Sequence, residues 1–493
     1  MMPLKCVDVA IIGAGSAGLS AYQAAARFTD QIALIDACFS HKSNASHAYI
    51  PTKLLVAASE VATCITHHDR FGLQLDSQVH TQEVLSHIRQ QNALVKTSWQ
   101  QNLAEIPDTH KIQGQAHFAD PHTLILTQAN GHSQAIYAQR IVIATGAHLL
   151  WPASLAHLSQ QQASKILDTH TLFDLPHLPK SLAIIGADTQ ALEIAQALQV
   201  LGVKVEVFTE KQQFGLLTDP WIRAQAQAYL QTKLTLHTQT KIHHVGYDAQ
   251  ENQVTIHYQT PNALQSTQVD YVLNLFAYQA NLQHLALENA HIRLDDQGFP
   301  RFNQYTLQCI SQDNSASHIF IIGDANQDRL HLHEALDEGC IAGENAGRYP
   351  KVQAGQRRCP LAIGFTQPSM AKIGLGYADL LERYRDEHKF ALGQAQCTHL
   401  DARVHMMHLQ VGWIRLYAEQ GSGLFLGAEL CTPRAEHLAH LLAWACQQRM
   451  SAQQMLAMPF YHPVLEETLR CALIDLNAQL KLGPVPDYTC MHL

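Results

Sequence analysis

Gly13-Ala-Gly15-Ser16-Ala-Gly18 follows a short apolar run, Val7 to Ile12, and a carboxylate, Asp36, stands 18 residues beyond the last glycine. Those residue types at that spacing suit a dinucleotide. Gly13 permits a tight turn, Gly15 lets backbone amides approach a diphosphate, Gly18 lets a helix pack on a strand, and Asp36 can accept from a ribose hydroxyl. A second loop, Gly186-Ala-Asp188-Thr-Gln-Ala191, keeps only the first of the three glycines. Asp188 places an anion at an anion-binding helix terminus, where at about 4 Å it opposes a phosphate by roughly 1 to 4 kcal/mol for effective dielectrics of 80 to 20. Read instead as a helix cap, Asp188 contributes roughly 1 kcal/mol to the fold while filling the phosphate's place. Either role disfavours a dinucleotide. Near the C-terminus His462-Pro463-Val-Leu-Glu466-Glu467 joins two acids to an imidazole, a group suited to proton transfer near neutrality. Proline suits the first helical position and acids complement the helix dipole, so a helix is expected to open at His462-Pro463.

Strand, turn and helix patterns must position these groups. Val7 to Ile12, an alanine-rich helix to about Phe28 and Ile32 to Asp36 make one βαβ unit. Gly114-x-Ala116-x-Phe118 and the alternating Thr-Leu-Ile-Leu-Thr after it have a hairpin pattern, and Arg140-Ile-Val-Ile-Ala-Thr145-Gly146 is a buried strand ending in small residues. Ser181 to Phe208 repeats the strand-turn-helix-strand order, polar β-rich sequence runs to about Leu275, and Ile319-Phe-Ile-Ile-Gly323-Asp324 is a further buried strand. Arg348 to Pro360 has the composition of a linker, and beyond Leu361 come mixed strands and an amphipathic helix around Ala435 to Gln448.

The 493 residues favour about three domains of roughly 150 residues each. With 47% apolar and 15% charged residues, a net charge of −9 and no basic block, the chain lacks the electrostatic basis for nucleic acid or an anionic membrane surface. No apolar run approaches the roughly 20 residues of a bilayer span, and the first one is too short for a signal sequence, so a cytoplasmic location is expected. The 11 cysteines are scattered singly, without Cys-x-x-Cys, and the 31 histidines form no ligand pattern, so no metal site is expected.

Gly-x-Gly-x-x-Gly, Pro51-Thr52-Lys53, Ala144-Thr145-Gly146, Gly323-Asp324 and His462-Pro463-Val-Leu-Glu-Glu467 occur in one order. Together they resemble the flavoprotein disulfide reductases, the pyridine nucleotide-disulfide oxidoreductase family, and dihydrolipoamide dehydrogenase most of all. The resemblance implies an α/β protein with two Rossmann-like dinucleotide-binding domains and a C-terminal α+β dimerisation domain. Residues 1–150 would bind FAD, 151–275 would form a degenerate NAD-binding domain, 276–350 would complete the FAD domain, and 361–493 would make a homodimer.

Carried over by position, Gly13, Gly15, Ser16 and Gly18 would hold the FAD diphosphate, Asp36 the adenosine ribose, and the backbone at Ala116 the adenine. Thr145 and Gly146 would follow the dinucleotide, Gly323 and Asp324 would meet ribityl oxygens, and Leu332 and His333 would pass near the isoalloxazine. Lys53 falls where the family's lysine approaches flavin N5, with Glu193 as its partner. His462, oriented by Glu467, matches the family's acid/base, which reaches the partner subunit's flavin site.

The departures concern sulfur and nicotinamide. Where the family has Cys-x-x-x-x-Cys before Pro-Ser/Thr-Lys, this chain has Asn44 and Tyr49, neither of which can form a disulfide or exchange with a thiol. Gly186 survives alone in the second loop, and Ala277-Tyr278-Gln-Ala-Asn281 replaces the family's Gly-Arg-x-Pro-Asn. Glu210, next to the strictly aligned Thr209, can take a ribose 2′-hydroxyl, and no arginine awaits a 2′-phosphate, so weak NADH binding is expected over NADPH. Three readings result: electron transfer from NAD(P)H through FAD to a small non-thiol acceptor such as a quinone or dye, with Tyr49 bounding it; a non-catalytic dimeric FAD-binding homologue; or a dihydrolipoyl dehydrogenase with relocated thiols, Cys38 or Cys490.

Overall fold

The computed structural model describes residues 4–39, 46–74, 78–155, 158, 163–261, 263–397, 402–408, 411–480 and 482. The elements that carry function are, in chain order, β1 (Leu4–Ile12), α1 (Ser16–Ala25), β2 (Ile32–Asp36), α2 (Ser46–Thr66), β3 (Ser133–Ile143), β4 (Ser181–Ile185), α3 (Thr189–Val200) and β5 (Lys204–Phe208). They continue with β6 (Ala316–Ile321), α4 (Leu332–Arg348), β7 (Ser369–Gly374), β8 (Phe425–Thr432), α5 (Ala435–Gln447) and α6 (Glu466–Leu480). The chain divides into two units, one of Met1–Pro51, His87–Leu150 and Ala277–Arg357, the other of Thr52–Ser86, Trp151–Phe276 and Arg358–Leu493.

In the first unit β6, β3, β1 and β2 lie side by side and parallel. Their near-continuous β-branched runs are buried on both faces, as a parallel sheet covered by helices requires. Register is what matters for function: Ile12 pairs with both Ile35 and Ile143, and Ile143 with Ile321. The loops after β1, β2, β3 and β6 therefore leave one edge of the sheet at one level, the carboxyl edge where open α/β sheets bind ligands. Helix α4 packs on α1 at close range because glycine faces it: a Cβ at Gly339 would lie 2.6 Å from the Ala17 carbonyl, and one at Gly343 2.3 Å from that of Ala21. Ser20 fixes the contact by donating to the Leu336 carbonyl at 2.7 Å.

The second unit holds a five-stranded sheet, parallel throughout, with β5, β4 and Tyr271–Asn274 at its centre, beside a three-stranded antiparallel sheet. Its C-terminal part is a five-stranded antiparallel sheet that includes β7 and β8 and packs against α5 and α6. Segment 349–360 has no helix or strand, in keeping with its composition, and α6 starts later than the sequence suggests. Pro463 does not occupy the first helical position: the Val464 amide donates to the Glu467 side chain at 3.2 Å, and the helix begins only at Glu466.

Candidate functional site

At the carboxyl edge of the first unit's sheet the glycine loop divides its labour. Gly13 has φ +112°, and a Cβ there would strike the Ala144 carbonyl at 2.2 Å, while one at Gly18 would meet the Gly13 carbonyl at 1.9 Å. The protein itself uses both spaces. Among the described residues nothing lies within 4 Å of a Cβ built on Gly15, so these leave the approach to the first turn of α1 open, and Gly15 as the cap has no side chain to occupy its amides. Ser16 begins that turn. Asp36 is held at the strand end by three amides, those of Ala14 (2.9 Å), Cys38 (3.1 Å) and Phe39 (2.8 Å), which aim its carboxylate along the loop. Its carboxyl group keeps acceptor capacity for a hydroxyl donor.

The next loop at this edge contains a buried hydroxyl, Thr145 Oγ1, with no hydrogen-bond partner among the described residues. Its backbone is clamped by Asn281, whose Nδ2 donates to the Thr145 carbonyl and whose amide donates to the Gly146 carbonyl, both at 2.9 Å. Asn281 itself follows a short strand, Tyr278–Ala280, paired antiparallel to Ala147–Leu149. Ala116 is buried on the strand Gln115–Phe118, and the exposed residues Leu332 and His333 open α4, with His333 stacked on His331.

After β6, Gly323 adopts φ +62° and Asp324 presents a half-buried carboxylate that burial pushes above its ordinary range. Beneath it lies a support that motif reading misses. Fully buried Glu338 accepts from the Gly323 amide at 2.7 Å and from Asn326 Nδ2 at 2.8 Å, and its other oxygen sits 2.9 Å from Arg357 Nη2. Burial pushes the Glu338 carboxyl up to about 7, against the pull of the Gly323 amide and Arg357. Arg357 and Arg329 are bridged in turn by Glu334 at 3.4 and 2.9 Å. The sequence signal available was only a buried-phase glutamate in α4 and an arginine in the linker.

An open space at Gly15, an orphan hydroxyl at Thr145 and a desolvated carboxylate at Asp324 fit FAD, whose diphosphate, pyrophosphate-linked ribose and ribityl chain offer matching groups. Glu338→Ala is expected to weaken FAD by roughly 5- to 150-fold, since buried hydrogen bonds to a charged group contribute about 1 to 3 kcal/mol. Recovery of free flavin fluorescence on dilution measures it, and Glu338→Gln should retain most of the affinity.

The second unit brings together Lys53 of α2 and Glu193 of α3. Lys53 Nζ lies 2.5 Å from each carboxylate oxygen, and Glu193, only 1% exposed, also accepts from the Phe365 amide at 2.7 Å. The ammonium stands 4.8 Å from the centre of the Phe365 ring. Burial lowers the Lys53 pKa, while Glu193 pulls it back up. Tyr49 precedes Lys53 by one turn of α2 and is 42% exposed; Asn44 and Cys490 lie outside the described residues.

Gly186, at φ +123°, needs its lack of a side chain, because a Cβ would meet the Leu275 carbonyl at 2.0 Å. Asp188 caps α3 by accepting from the Ala191 amide at 2.8 Å. The residue is exposed, yet the protein around its carboxyl desolvates it, which raises its pKa; the Ala191 amide opposes the shift and Glu193 adds to it. Beyond β5, Thr209 is half-buried and Glu210 exposed. His462 Nδ1 lies 2.8 Å from Glu467 Oε1, with the imidazole 70% exposed, and that hydrogen bond holds the Glu467 carboxyl below its ordinary range.

Residues 7–339 match the pyridine nucleotide-disulphide oxidoreductase family, and residues 361–473 match that family's dimerisation domain. Dihydrolipoyl dehydrogenase 3 of Pseudomonas aeruginosa is 24% identical over 97% of this chain and 99% of its own. The soluble pyridine nucleotide transhydrogenase of Colwellia psychrerythraea is 24% identical over 95% of this chain and 97% of its own. The crystal structure of LpdA from Mycobacterium tuberculosis superposes with a TM-score of 0.76 at 20% identity, covering 95% of this chain and 99% of that one.

Proposed function

This chain belongs to the pyridine nucleotide-disulphide oxidoreductase family, whose cofactors are FAD and NAD(H), and we propose that it passes reducing equivalents from NADH through FAD to a small non-thiol acceptor of quinone or dye type. One observation carries this reading. The sequence has no cysteine between Cys38 and Cys64, so Asn44 and Tyr49 leave the electron path without sulfur, while the Lys53–Glu193 ion pair is intact. A transhydrogenase among the relatives supports a family member whose named reaction is not with a disulfide.

Bound FAD supplies the two-electron carrier. The chain's own parts are the Gly15 cradle and Asp36 for its adenosine half, Thr145 along the dinucleotide, Asp324 for its ribityl half, and the Lys53 ammonium, paired with Glu193, as the cation that favours a negatively charged reduced ring. Tyr49 bounds the acceptor. His462, oriented by Glu467, donates a proton to the reduced acceptor, and a homodimer built on residues 361–493 brings it to that task. We place the protein in the cytoplasm, with NADH rather than NADPH as donor.

Asp188 favours a second reading, a dimeric FAD-binding homologue without catalysis, because its carboxylate fills the helix terminus that a nicotinamide diphosphate needs. Anaerobic titration with NADH separates the two. Bleaching of the visible flavin band, with turnover of a quinone or dye and none of lipoamide, supports the first. An unchanged spectrum at millimolar NADH, with thermal stabilisation by FAD alone, replaces it with the second, and rapid lipoamide turnover overturns both.

A further inference from the structure

We propose that Cys359 and Cys446, far apart in sequence, form a reversible dithiol–disulfide site in the C-terminal part of the second unit. Three contacts bring the two cysteines to the same rim of the core, beside the end of β7. The Cys359 amide donates to Oε1 of Gln447, the residue after Cys446, at 2.6 Å. The Cys359 thiol donates to the Pro360 carbonyl at 3.6 Å, and that same carbonyl accepts from the Gly374 amide at 2.9 Å. Cys446 Sγ lies against Gly374, only 3.1 Å from where a Cβ would stand, so the end of β7 leaves room for sulfur because it ends in glycine. Both thiols are partly exposed, and both pack at the rim of the core formed by α5, β7 and β8.

The chemistry is an exchange with a small disulfide such as oxidised glutathione. A Cys446 thiolate attacks one glutathione sulfur, forming a mixed disulfide and expelling a glutathione thiolate. The Cys359 thiolate then attacks the Cys446 sulfur, the protein disulfide forms, and a second glutathione thiolate leaves. Two protein thiols lose two protons and two electrons, and one glutathione disulfide becomes two glutathione thiols. Cys446 is suited to attack first, since the neighbouring Cys359 thiol lowers its pKa despite the burial that opposes this. Closure would tie segment 349–360 to α5 just before Leu361–Gly364 begins the antiparallel sheet. This site is independent of the flavin reading above.

The test is peptide mapping of the full-length protein with its flavin, after treatment with oxidised glutathione and alkylation of the remaining thiols. The expected product is a Cys359–Cys446 crosslinked peptide, two hydrogens lighter than the separate pair, released by dithiothreitol. The exposed Cys6, Cys38, Cys64, Cys340 and Cys471 would carry at most single glutathione adducts. In Cys359→Ser, Cys446 should retain a stable adduct, because no second thiol resolves it. Recovery of Cys359 and Cys446 individually alkylated, individually glutathionylated, or linked to other cysteines would overturn the proposal, and the wild-type map decides this even if the variant fails to fold.

Discussion

Replacing Asp188 by glycine tightens NAD+ binding by about ten- to a hundredfold, the expected result of removing roughly 1.4 to 2.8 kcal/mol of repulsion from the amides that face a diphosphate. The stability cost is small. Asp188 accepts from the Ala191 amide, and glycine at a helix cap is only a few tenths of a kcal/mol worse than aspartate. A pH dependence follows from the same carboxyl. Desolvation holds its pKa above the ordinary value, so acidification neutralises it sooner than a free aspartate and the repulsion fades as pH falls. Wild-type affinity for NAD+ should therefore rise from pH 8 toward pH 5, while that of Asp188→Gly stays flatter. Isothermal titration of both proteins across that range checks the sign, and equal affinities at neutral pH would return the nicotinamide defect to other residues.

The second large effect concerns Glu193. Glu193→Ala leaves the Lys53 ammonium, largely buried, without its counterion and the Phe365 amide without an acceptor. Breaking one side of such a pair costs about 3 to 5 kcal/mol when both charges are fully buried, and about 2 to 4 kcal/mol here because Lys53 is 21% exposed. Urea unfolding should show it as a lowered midpoint. Glu193→Gln keeps the shape and an acceptor but removes the charge that opposes desolvation, so the Lys53 pKa falls further below its usual value. The alkaline limb of NADH-dependent dye reduction should then move to lower pH, because the lysine loses its proton earlier. An unmoved limb with wild-type stability would assign the pair no role in either.

Loop chemistry was legible in the chain because its residues are consecutive and each loop follows a buried strand. Gly13 to Gly18, Asp36, Thr145-Gly146 and Gly323-Asp324 needed only the register of four parallel strands to share an edge, and β-branched runs dictate that sheet. What escaped are contacts made across long separations by residue types that look ordinary locally. Glu338 reads as one more helical acid until Arg357 and the Gly323 amide converge on it, and Asn281 reads as the remnant of a nicotinamide loop until its side chain meets Thr145. The helix opens at Glu466 and not at Pro463, a start hidden in the sequence because proline statistics carry no information about a side chain four residues on that captures the Val464 amide.

The discontinuity of the first unit dictates an order of events at the ribosome. Strand β3 and the small-residue face of α1 wait for β6 and α4, which are translated only after the stretch between them. That intervening stretch holds every strand of the parallel sheet running from Ile166 to Asn274, so it can close on itself while the earlier segment still has a bare edge. A nascent chain arrested before residue 316 should thus yield a protease-resistant core from its middle and a vulnerable beginning, and it is at that stage that chaperone capture has most to protect.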